Sequence, residues 1–225
     1  MTYIPNIRPM DIEKKSFEII TEELEKRGKQ LEPGTEMIVK RCIHTSADFD
    51  YADNLYFSKG AVNRALSAIR AGASIVTDTE MAKAGISRRT LAGFGGKVYC
   101  FMSDPEVARK AKEEGVTRAI ISMRKASALP GKLIFAIGNA PTALLELTDL
   151  YRAGKIRPEL IIGVPVGFVN VVQSKEALQA SGADCIIARG RKGGSNIAAC
   201  ICNALLYMAD STRGAGHSSQ PSMNR

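Results

Sequence analysis

Histidine is the residue type whose use in this sequence says most about chemistry, because only His44 and His217 are present. An imidazole gains and loses a proton near neutral pH, so one well-placed histidine suits general acid or base catalysis. A multi-histidine zinc site needs more histidines than this, and no obvious serine or cysteine nucleophile stands beside His44. An isolated histidine near a helix end is more often a surface residue. If His44 works in catalysis, we expect it to be a proton donor or acceptor.

Five acidic residues are the candidates for oxygen ligands of a divalent ion: Asp48, Asp50, Asp53, Asp78 and Glu80. Their spacing matches no calcium-binding loop. Turns and helix caps account for most of them. Asp78 and Glu80 follow a predicted strand, so we expect them to face a cleft. The acids together predict no metal site.

The five cysteines, Cys42, Cys100, Cys185, Cys200 and Cys202, are not spaced like a redox or metal motif. No Cys-x-x-Cys pair occurs, the number is odd, and most neighbours are apolar. On one helix, Cys200 and Cys202 would point about 200° apart. We therefore predict reduced thiols that are buried for packing.

Three segments rich in glycine, at residues 137–144, 163–169 and 189–195, lie where apolar runs end. Backbone N–H groups in such turns are able to bind an anion. None of the three has the spacing of a P-loop or of a Gly-x-Gly-x-x-Gly dinucleotide site, which excludes those motifs. Tight packing and helix capping explain a single loop of this kind equally well, but three in one sheet favour a ligand site.

The composition describes an ordinary globular chain with a basic excess. Its 225 residues include 31 lysines and arginines against 23 acidic residues, giving a formal net charge of +8. The basic residues are scattered and no aromatic residues alternate with them, which argues against nucleic acid as a partner and leaves a small polyanion. No run approaches the roughly 20 apolar residues of a membrane span, and no signal peptide is recognisable. We expect a cytoplasmic protein that does not bind membranes.

Helical and apolar patterns alternate along the chain. Helices are predicted at residues 11–26, 36–44, 61–70, 104–114, 140–153, 175–180 and 196–208, with Thr35 as the cap of the second. Short apolar runs without strict alternation lie at 74–77, 97–101, 133–137, 160–164 and 185–188. This order predicts one α/β domain, residues 1–210, with a mostly parallel sheet and helices on both faces. Residues 211–225 are predicted to be a disordered tail. Ligands bind such sheets beyond the carboxyl ends of the strands.

Several motifs occur together in the order seen in precorrin-8X methylmutases, and the chain resembles that family over residues 4–209. The matching segments are Arg-Cys-Ile-His-Thr (41–45), Asp-Thr-Glu-Met (78–81), Thr-Arg (117–118), Gly-Asn-Ala-Pro-Thr-Ala-Leu (138–144), Gly-Val-Pro-Val-Gly-Phe-Val (163–169), Ser-Lys (174–175) and Gly-Arg-Lys-Gly-Gly-Ser (190–195). The fourth and the last of these are specific when they occur together.

The resemblance implies an isomerase of corrin-ring synthesis that moves a methyl group from carbon 11 to carbon 12 of the macrocycle and consumes no cofactor. It makes His44 the general acid, which protonates the substrate at ring C. It also places Ser16, Arg41 and Arg118 in contact with the substrate, with weaker implications for Asn139 and Thr142. The substrate is an apolar disc fringed with carboxylates, which suits arginine groups on a basic protein. Family members are homodimers with active sites near the subunit interface.

The loop after His44, Thr-Ser-Ala-Asp-Phe-Asp-Tyr (45–51), resembles the enzymes of the cobalt-containing, anaerobic route. The expected substrate is therefore cobalt-precorrin-8, giving cobyrinic acid, with any cobalt arriving inside the macrocycle. The alternative within the family is metal-free precorrin-8X, giving hydrogenobyrinic acid. A non-catalytic tetrapyrrole carrier would need the basic cleft but not His44. A metal-dependent phosphohydrolase using Asp78 and Glu80 is disfavoured by the missing phosphate motif.

Overall fold

The computed structural model describes residues 9–210, so the predicted tail at 211–225 lies outside the described residues. The described chain folds as a single α/β domain around one six-stranded sheet. The strands are β1 (Leu55–Phe57), β2 (Ser74–Thr77), β3 (Val98–Tyr99), β4 (Leu133–Ile137), β5 (Leu160–Gly163) and β6 (Cys185–Ala188). They lie in the order β1-β6-β5-β4-β2-β3.

The sheet is parallel except at β1, which confirms the predicted mostly parallel arrangement. Every residue of the three central strands β4, β5 and β6 is buried. Strands covered on both faces need apolar residues at every position, which explains the continuous apolar runs in the sequence. β1 is antiparallel because it enters the sheet from the carboxyl edge, with Leu55 opposite Ala188.

Helices cover both faces of the sheet. Residues 9–210 hold eleven of them: α1 (Pro9–Lys26), α2 (Glu36–Ser46), α3 (Tyr51–Asn54), α4 (Ala61–Arg70), α5 (Glu80–Gly85), α6 (Arg88–Gly93), α7 (Pro105–Glu114), α8 (Arg118–Ser127), α9 (Pro141–Arg152), α10 (Val171–Gln179) and α11 (Ser195–Ala209). The seven predicted helices are present, whereas α3, α5, α6 and α8 were not predicted. Within the described part of the chain, none of these helices is both long and apolar enough to cross a membrane.

Two apolar cores form because alternate strand residues point to opposite faces. Ile75 and Ile134 face one core, which they share with α2, α4 and α11. Val76 and Phe135, the next residues along the same strands, face the other core, beneath α8 and α9. Burying a side chain of this size contributes about 1.5–3 kcal/mol, so the two cores stabilise the sheet and the helices packed on it.

Helix α2 carries the single histidine of the described chain, and its burial pattern decides where that residue points. Ile38, Val39, Cys42 and Ile43 recur at helical spacing and are buried. His44 lies on the opposite, exposed face, and the helix ends at Ser46. The helix begins directly after Thr35, as predicted, but the predicted side-chain cap is wrong. The hydroxyl of Thr35 instead donates to the carbonyl oxygen of Glu32 at 2.7 Å.

Candidate functional site

The end of α2 and the loops after the parallel strands meet at the carboxyl edge of the sheet. β1 starts at this edge, so the segment between α2 and β1 must lie there as well. The backbone N–H of Arg189, just after β6, donates to the carbonyl of Asn54 at 2.8 Å. The topology therefore brings His44 to the edge where ligands bind in sheets of this kind.

His44 is hydrogen-bonded to Ser16, so two of the site residues named from the sequence lie side by side. Ser16 Oγ on α1 lies 2.7 Å from His44 Nδ1 on α2. The ring of Phe17 stands edge-on to the imidazole, with 5.7 Å between ring centroids. Because Nδ1 is engaged by the hydroxyl, Nε2 is the ring nitrogen that is left to exchange a proton with another molecule.

Arg41 is held inside the protein rather than extended towards solvent. Its guanidinium forms an ion pair with Glu13 and lies over two aromatic rings, 4.8 Å from the centroid of Tyr207 and 5.4 Å from that of Phe17. The side chain is 19% exposed, and its Nε has no hydrogen-bond acceptor among residues 9–210. Glu13 therefore already neutralises the charge of this guanidinium through Nη2.

Asp78 organises the first glycine-rich loop from inside. Its Oδ1 accepts the N–H of Gly138 at 2.9 Å, and its Oδ2 accepts those of Asn139 and Ala140 at 2.8 and 2.6 Å. The sequence predicted that these amides bind a ligand anion and that Asp78 faces the cleft, and both predictions are wrong. Asp78 is fully buried. Burial raises the pKa of this carboxyl, and the three amide hydrogen bonds act in the opposite direction.

The same loop carries Asn139 and Thr142 to the edge. Asn139 is exposed, and Thr142 Oγ1 lies 3.0 Å from Thr117 Oγ1. Thr117 is the N-cap of α8, where its hydroxyl accepts the N–H of Ile120 at 3.3 Å. Arg118, the first residue of α8, is exposed. The structure therefore groups Asn139, Thr142 and Arg118 around the starts of two adjacent helices.

The second and third glycine-rich loops are locked together by backbone hydrogen bonds. The N–H of Gly194 donates to the carbonyl of Val164 at 2.9 Å, and that of Gly167 to the carbonyl of Arg191 at 3.1 Å. Gly193 is required here, because a Cβ at this position would lie 2.1 Å from the carbonyl oxygen of Val164. The close approach of two backbones, rather than anion binding, explains this glycine.

Lys175 supports the third loop from beneath. Its Nζ donates to the carbonyl oxygens of Gly190 and Lys192 at 2.7 and 2.8 Å. The side chain is buried on α10, and desolvation lowers the pKa of Lys175 to about 8. Ser-Lys at 174–175 is one of the segments that match the family, but the sequence does not predict this role, since no local pattern marks a lysine as buried.

Lys192 joins the third loop to the segment that follows His44. Its Nζ lies 2.5 Å from Asp48 Oδ2 and 2.6 Å from Asp50 Oδ2. The ammonium group lowers the pKa of Asp48. These two acids are therefore used in ion pairs. Among residues 9–210, no group of three or more histidine, cysteine, aspartate or glutamate side chains is placed to hold a metal ion.

Comparison with known proteins gives a consistent match over almost the whole described chain. A family model described as precorrin-8X methylmutase matches residues 11–208. The cobalt-precorrin-8 methylmutase of Priestia megaterium is 44% identical over 91% of this chain and 90% of its own length. The precorrin-8X methylmutase of Pseudomonas aeruginosa is 38% identical over 86% of this chain and 93% of its own length.

A solved structure agrees with the sequence matches. The crystal structure of a precorrin-8X methylmutase from Thermus thermophilus superimposes with a TM-score of 0.80 at 38% identity. The superposition covers 88% of this chain and 97% of that one. The similarity therefore extends to the order and packing of the elements that carry the site.

Proposed function

This chain belongs to the precorrin-8X methylmutase family, and from that membership we propose that it moves a methyl group from carbon 11 to carbon 12 of cobalt-precorrin-8. The chain is an isomerase of corrin-ring biosynthesis. The product of the proposed reaction is cobyrinic acid. The observation that carries the proposed mechanism is the hydrogen-bonded pair of Ser16 and His44 at the carboxyl edge of the sheet.

We assign His44 the role of proton donor to ring C of the substrate. Protonation there makes the carbon that receives the methyl group electron-poor, which favours migration. As an acid that acts through Nε2, His44 is the imidazolium, and its Nδ1–H donates to the hydroxyl oxygen of Ser16. After the transfer the neutral ring keeps its proton on Nδ1 together with this hydrogen bond, and the bare Nε2 is ready to take the proton back. Since the reaction is an isomerisation, the enzyme recovers within the same turnover each proton that it donates.

The substrate carboxylates need cationic partners, and Arg118 is the better placed of the two candidate arginines. It is exposed at the first turn of α8, where the helix dipole also favours an anion. We propose that Asn139 and Thr142 assist it from the adjacent helix start. Arg41 is proposed as a second contact that exchanges Glu13 for a substrate carboxylate.

We also propose that the protein works as a homodimer. Four large apolar side chains lie exposed in the loops at the carboxyl edge and in α5: Val166, Phe168, Val169 and Met81. Phe168 is 80% exposed, which is unusual for an isolated chain unless another surface covers it. Sedimentation of the protein at micromolar concentration is expected to give a dimer. Phe168→Glu is expected to give a monomer, and a monomeric parent would contradict the proposal.

The form of the substrate is assigned from the loop that follows His44. Asp48 and Asp50, two residues of the segment 45–51 that resembles the cobalt-route enzymes, form ion pairs with Lys192 just beyond the end of the helix that carries the proposed proton donor. We propose that this loop contributes to discrimination between the cobalt-containing and the metal-free macrocycle. The Priestia megaterium relative, named for the cobalt substrate, is also more similar than the Pseudomonas aeruginosa relative, named for precorrin-8X.

Side-by-side kinetics with cobalt-precorrin-8 and metal-free precorrin-8X test this assignment. We expect a higher kcat/KM for the cobalt substrate. Lys192→Ala, which releases the loop, is expected to reduce the preference, whereas the surface variant Lys110→Ala on α7 is expected to retain it. A preference for the metal-free ring would overturn the cobalt assignment and leave the methylmutase activity untouched.

A further inference from the structure

The loop that follows β6 is built over a buried cation. Lys175 on α10 is 2% exposed, and the lysines that form ion pairs within residues 9–210 do not include it. Its ammonium group is held by the carbonyl oxygens of Gly190 and Lys192. The carbonyl oxygen of Arg191, between them, accepts the N–H of Gly167 at 3.1 Å. Three consecutive carbonyl groups of the loop therefore point into the protein.

This inward arrangement decides what the loop offers to a ligand. A carbonyl oxygen carries partial negative charge, so carbonyl groups that pointed outwards would repel an anion. Lys175 holds two of them inside, although burying an ammonium group without a carboxylate partner is costly. The outer surface of residues 189–192 is thereby left to the side chains, and apart from Gly190 these are basic.

Arg189 and Arg191 project from this loop and are oriented by aromatic rings. Both residues are exposed. The guanidinium of Arg189 lies 4.7 Å from the ring centroid of Tyr56, and that of Arg191 lies 5.3 Å from the ring centroid of Phe168. Stacking on a ring leaves the N–H groups along the edge of a guanidinium free for the two oxygens of a carboxylate. Part of the entropy that ordering an arginine costs is therefore already lost before a ligand binds.

Neither of these two guanidinium groups is neutralised by a carboxylate of the described chain. The arginines with ion pairs in residues 9–210 are a different set: Arg27, Arg41, Arg64, Arg109 and Arg124. Asp48 and Asp50 reach the loop through ion pairs, and both are bound by Lys192. With Lys175 beneath it, the loop has four cationic side chains for these two carboxylates. The excess positive charge favours a ligand with several acidic groups.

The loop lies across β5 from Arg118. Arg118 begins α8, and Thr117 beside it contacts Thr142 at the start of α9, which follows β4. β5 lies between β4 and β6 in the sheet, so the ends of β4 and β6 are about 10 Å apart. A wide, flat ligand that lay over the end of β5 would therefore meet arginines on both sides.

We propose that Arg189 and Arg191 form a further carboxylate-binding site, and that Lys175 is the residue that positions it. The ligand is the macrocycle of the proposed function, which is fringed with carboxylates. Acid groups on one side of the ring bind Arg118, and those on the opposite side bind Arg189 and Arg191. This inference rests on the proposed function for the identity of the ligand, whereas the binding of a polycarboxylate ring can be measured without turnover.

Absorbance titration of the full chain with cobyrinic acid, the proposed product, tests the site. Arg189→Ala and Arg191→Ala are each expected to weaken binding about tenfold, because each removes a charge-assisted contact. Added salt should weaken binding to the parent more than binding to the double variant, since salt screens charge pairs. Arg157→Ala is the matched control and is expected to bind like the parent. This exposed arginine also lies over a ring, 5.0 Å from the centroid of Tyr151, but it precedes β5 at the opposite edge of the sheet.

Lys175→Met tests the positioning role. The variant loses the ammonium group that holds the carbonyl oxygens of Gly190 and Lys192 inside. It is expected to weaken the binding of cobyrinic acid, and to raise KM for cobalt-precorrin-8 more than it lowers kcat, because it does not remove the proton donor His44. A fall in kcat with unchanged KM and unchanged affinity for cobyrinic acid would overturn the positioning role.

Sedimentation of the variants separates binding from assembly, because Phe168 beneath Arg191 is also part of the proposed dimer contact. Arg189→Ala, whose ring partner Tyr56 is outside that apolar surface, is expected to remain a dimer and still to bind weakly. If cobyrinic acid bound equally to the parent and to both arginine variants, the site would be refuted and the methylmutase proposal would stand. If the parent had no methylmutase turnover but the arginine variants still lost affinity, the proposed function would fail and the carboxylate site would stand.

Discussion

At the scale of single residues, the proposed catalysis depends on one proton at one nitrogen of His44. The ring is oriented by the 2.7 Å hydrogen bond between Ser16 and Nδ1 and by the edge of Phe17. An acid that is oriented in this way presents Nε2 in a constant direction. The arrangement does not require the protein to bind a metal, because the same imidazole nitrogen cannot both donate a proton and ligate an ion.

Replacing His44 by alanine is expected to lower turnover by about 10²- to 10⁴-fold, because a positioned proton donor typically contributes that much. The variant should fold normally and bind the macrocycle, since His44 is exposed. Single-turnover kinetics and an absorbance titration with the coloured substrate separate the two effects. Ser16→Ala is the companion variant, with a smaller loss of turnover and a displaced pH profile. Turnover of His44→Ala within a few-fold of the parent would remove His44 from the mechanism.

The two arginines are expected to respond differently to replacement by alanine. Arg118→Ala should weaken substrate binding by about 1.5–3 kcal/mol and leave the melting temperature unchanged, because its side chain is exposed. Arg41→Ala should also lower the free energy of unfolding by about 1–3 kcal/mol, since it loses Glu13 and the two rings beneath its guanidinium.

Calorimetric titration and thermal melting check the two effects independently. Lysine at position 118 should restore only part of the affinity, because it lacks the planar fork of the guanidinium. Equal affinities of both alanine variants and the parent would place the two arginines outside the site.

At the scale of elements, the loop between β4 and α9 is shaped by a carboxylate rather than by a ligand. Three consecutive amides of this loop point inwards to Asp78, which follows β2. Buried amides need acceptors, and the neighbouring strand supplies one here. The loop is thereby preformed, and Asn139 is carried outwards on a fixed backbone.

Asp78→Asn is expected to lower the free energy of unfolding by about 2–3 kcal/mol. The variant has an NH₂ group in place of one carboxylate oxygen, and that group cannot accept a hydrogen bond. At least one of the loop N–H groups is therefore left unpaired. Denaturant unfolding measures the change. Glu80→Gln, two residues away and half exposed, is the matched control and should change stability little. If the two variants were equally stable, the amide contacts of Asp78 would not be what holds the loop.

At the scale of the whole molecule, stability should depend on pH through Lys175. Its folded pKa of about 8 lies below the ordinary value of 10.5, because the buried ammonium is desolvated. Between these two values the unfolded chain binds a proton that the folded chain has released. We therefore compare the free energies of unfolding of the parent and of Lys175→Met. The parent's value minus the variant's value should rise with pH across this range, by up to about 3 kcal/mol.

Denaturant unfolding of the parent and of Lys175→Met at several pH values between about 7 and 10.5 checks the sign. The difference between the two proteins isolates Lys175, because the other titrating groups are common to both. Lys155→Met, which replaces an exposed lysine in the turn after α9, is the matched control and should show no such dependence on pH. If the difference in free energy of unfolding between the parent and Lys175→Met stayed constant or fell as the pH rose, burial would not destabilise the charged form of Lys175.

Much of the fold could be predicted from the sequence because its causes are local. The bounds of β2, β4 and β6 and of α4 agree with the predictions, since continuous apolar runs and amphipathic spacing depend on neighbouring residues. The family motifs also identified His44, Ser16 and Arg118 as candidates. The short helices α5 and α6 were missed because six residues carry too little periodic signal.

Tertiary structure alone decided which of these residues touch. Thr45 meets Cys200 across 155 residues, and Asp78 meets Gly138 across 60, so no window of sequence contains either contact. The same holds for the burial of Lys175, which depends on where the loop after β6 closes over α10. Side-chain types and short periodicities can be read from the sequence. The contacts of each residue, its burial and the pKa shifts that result can be read only from the folded molecule. The reason is that desolvation and hydrogen bonding require surfaces that only folding brings together.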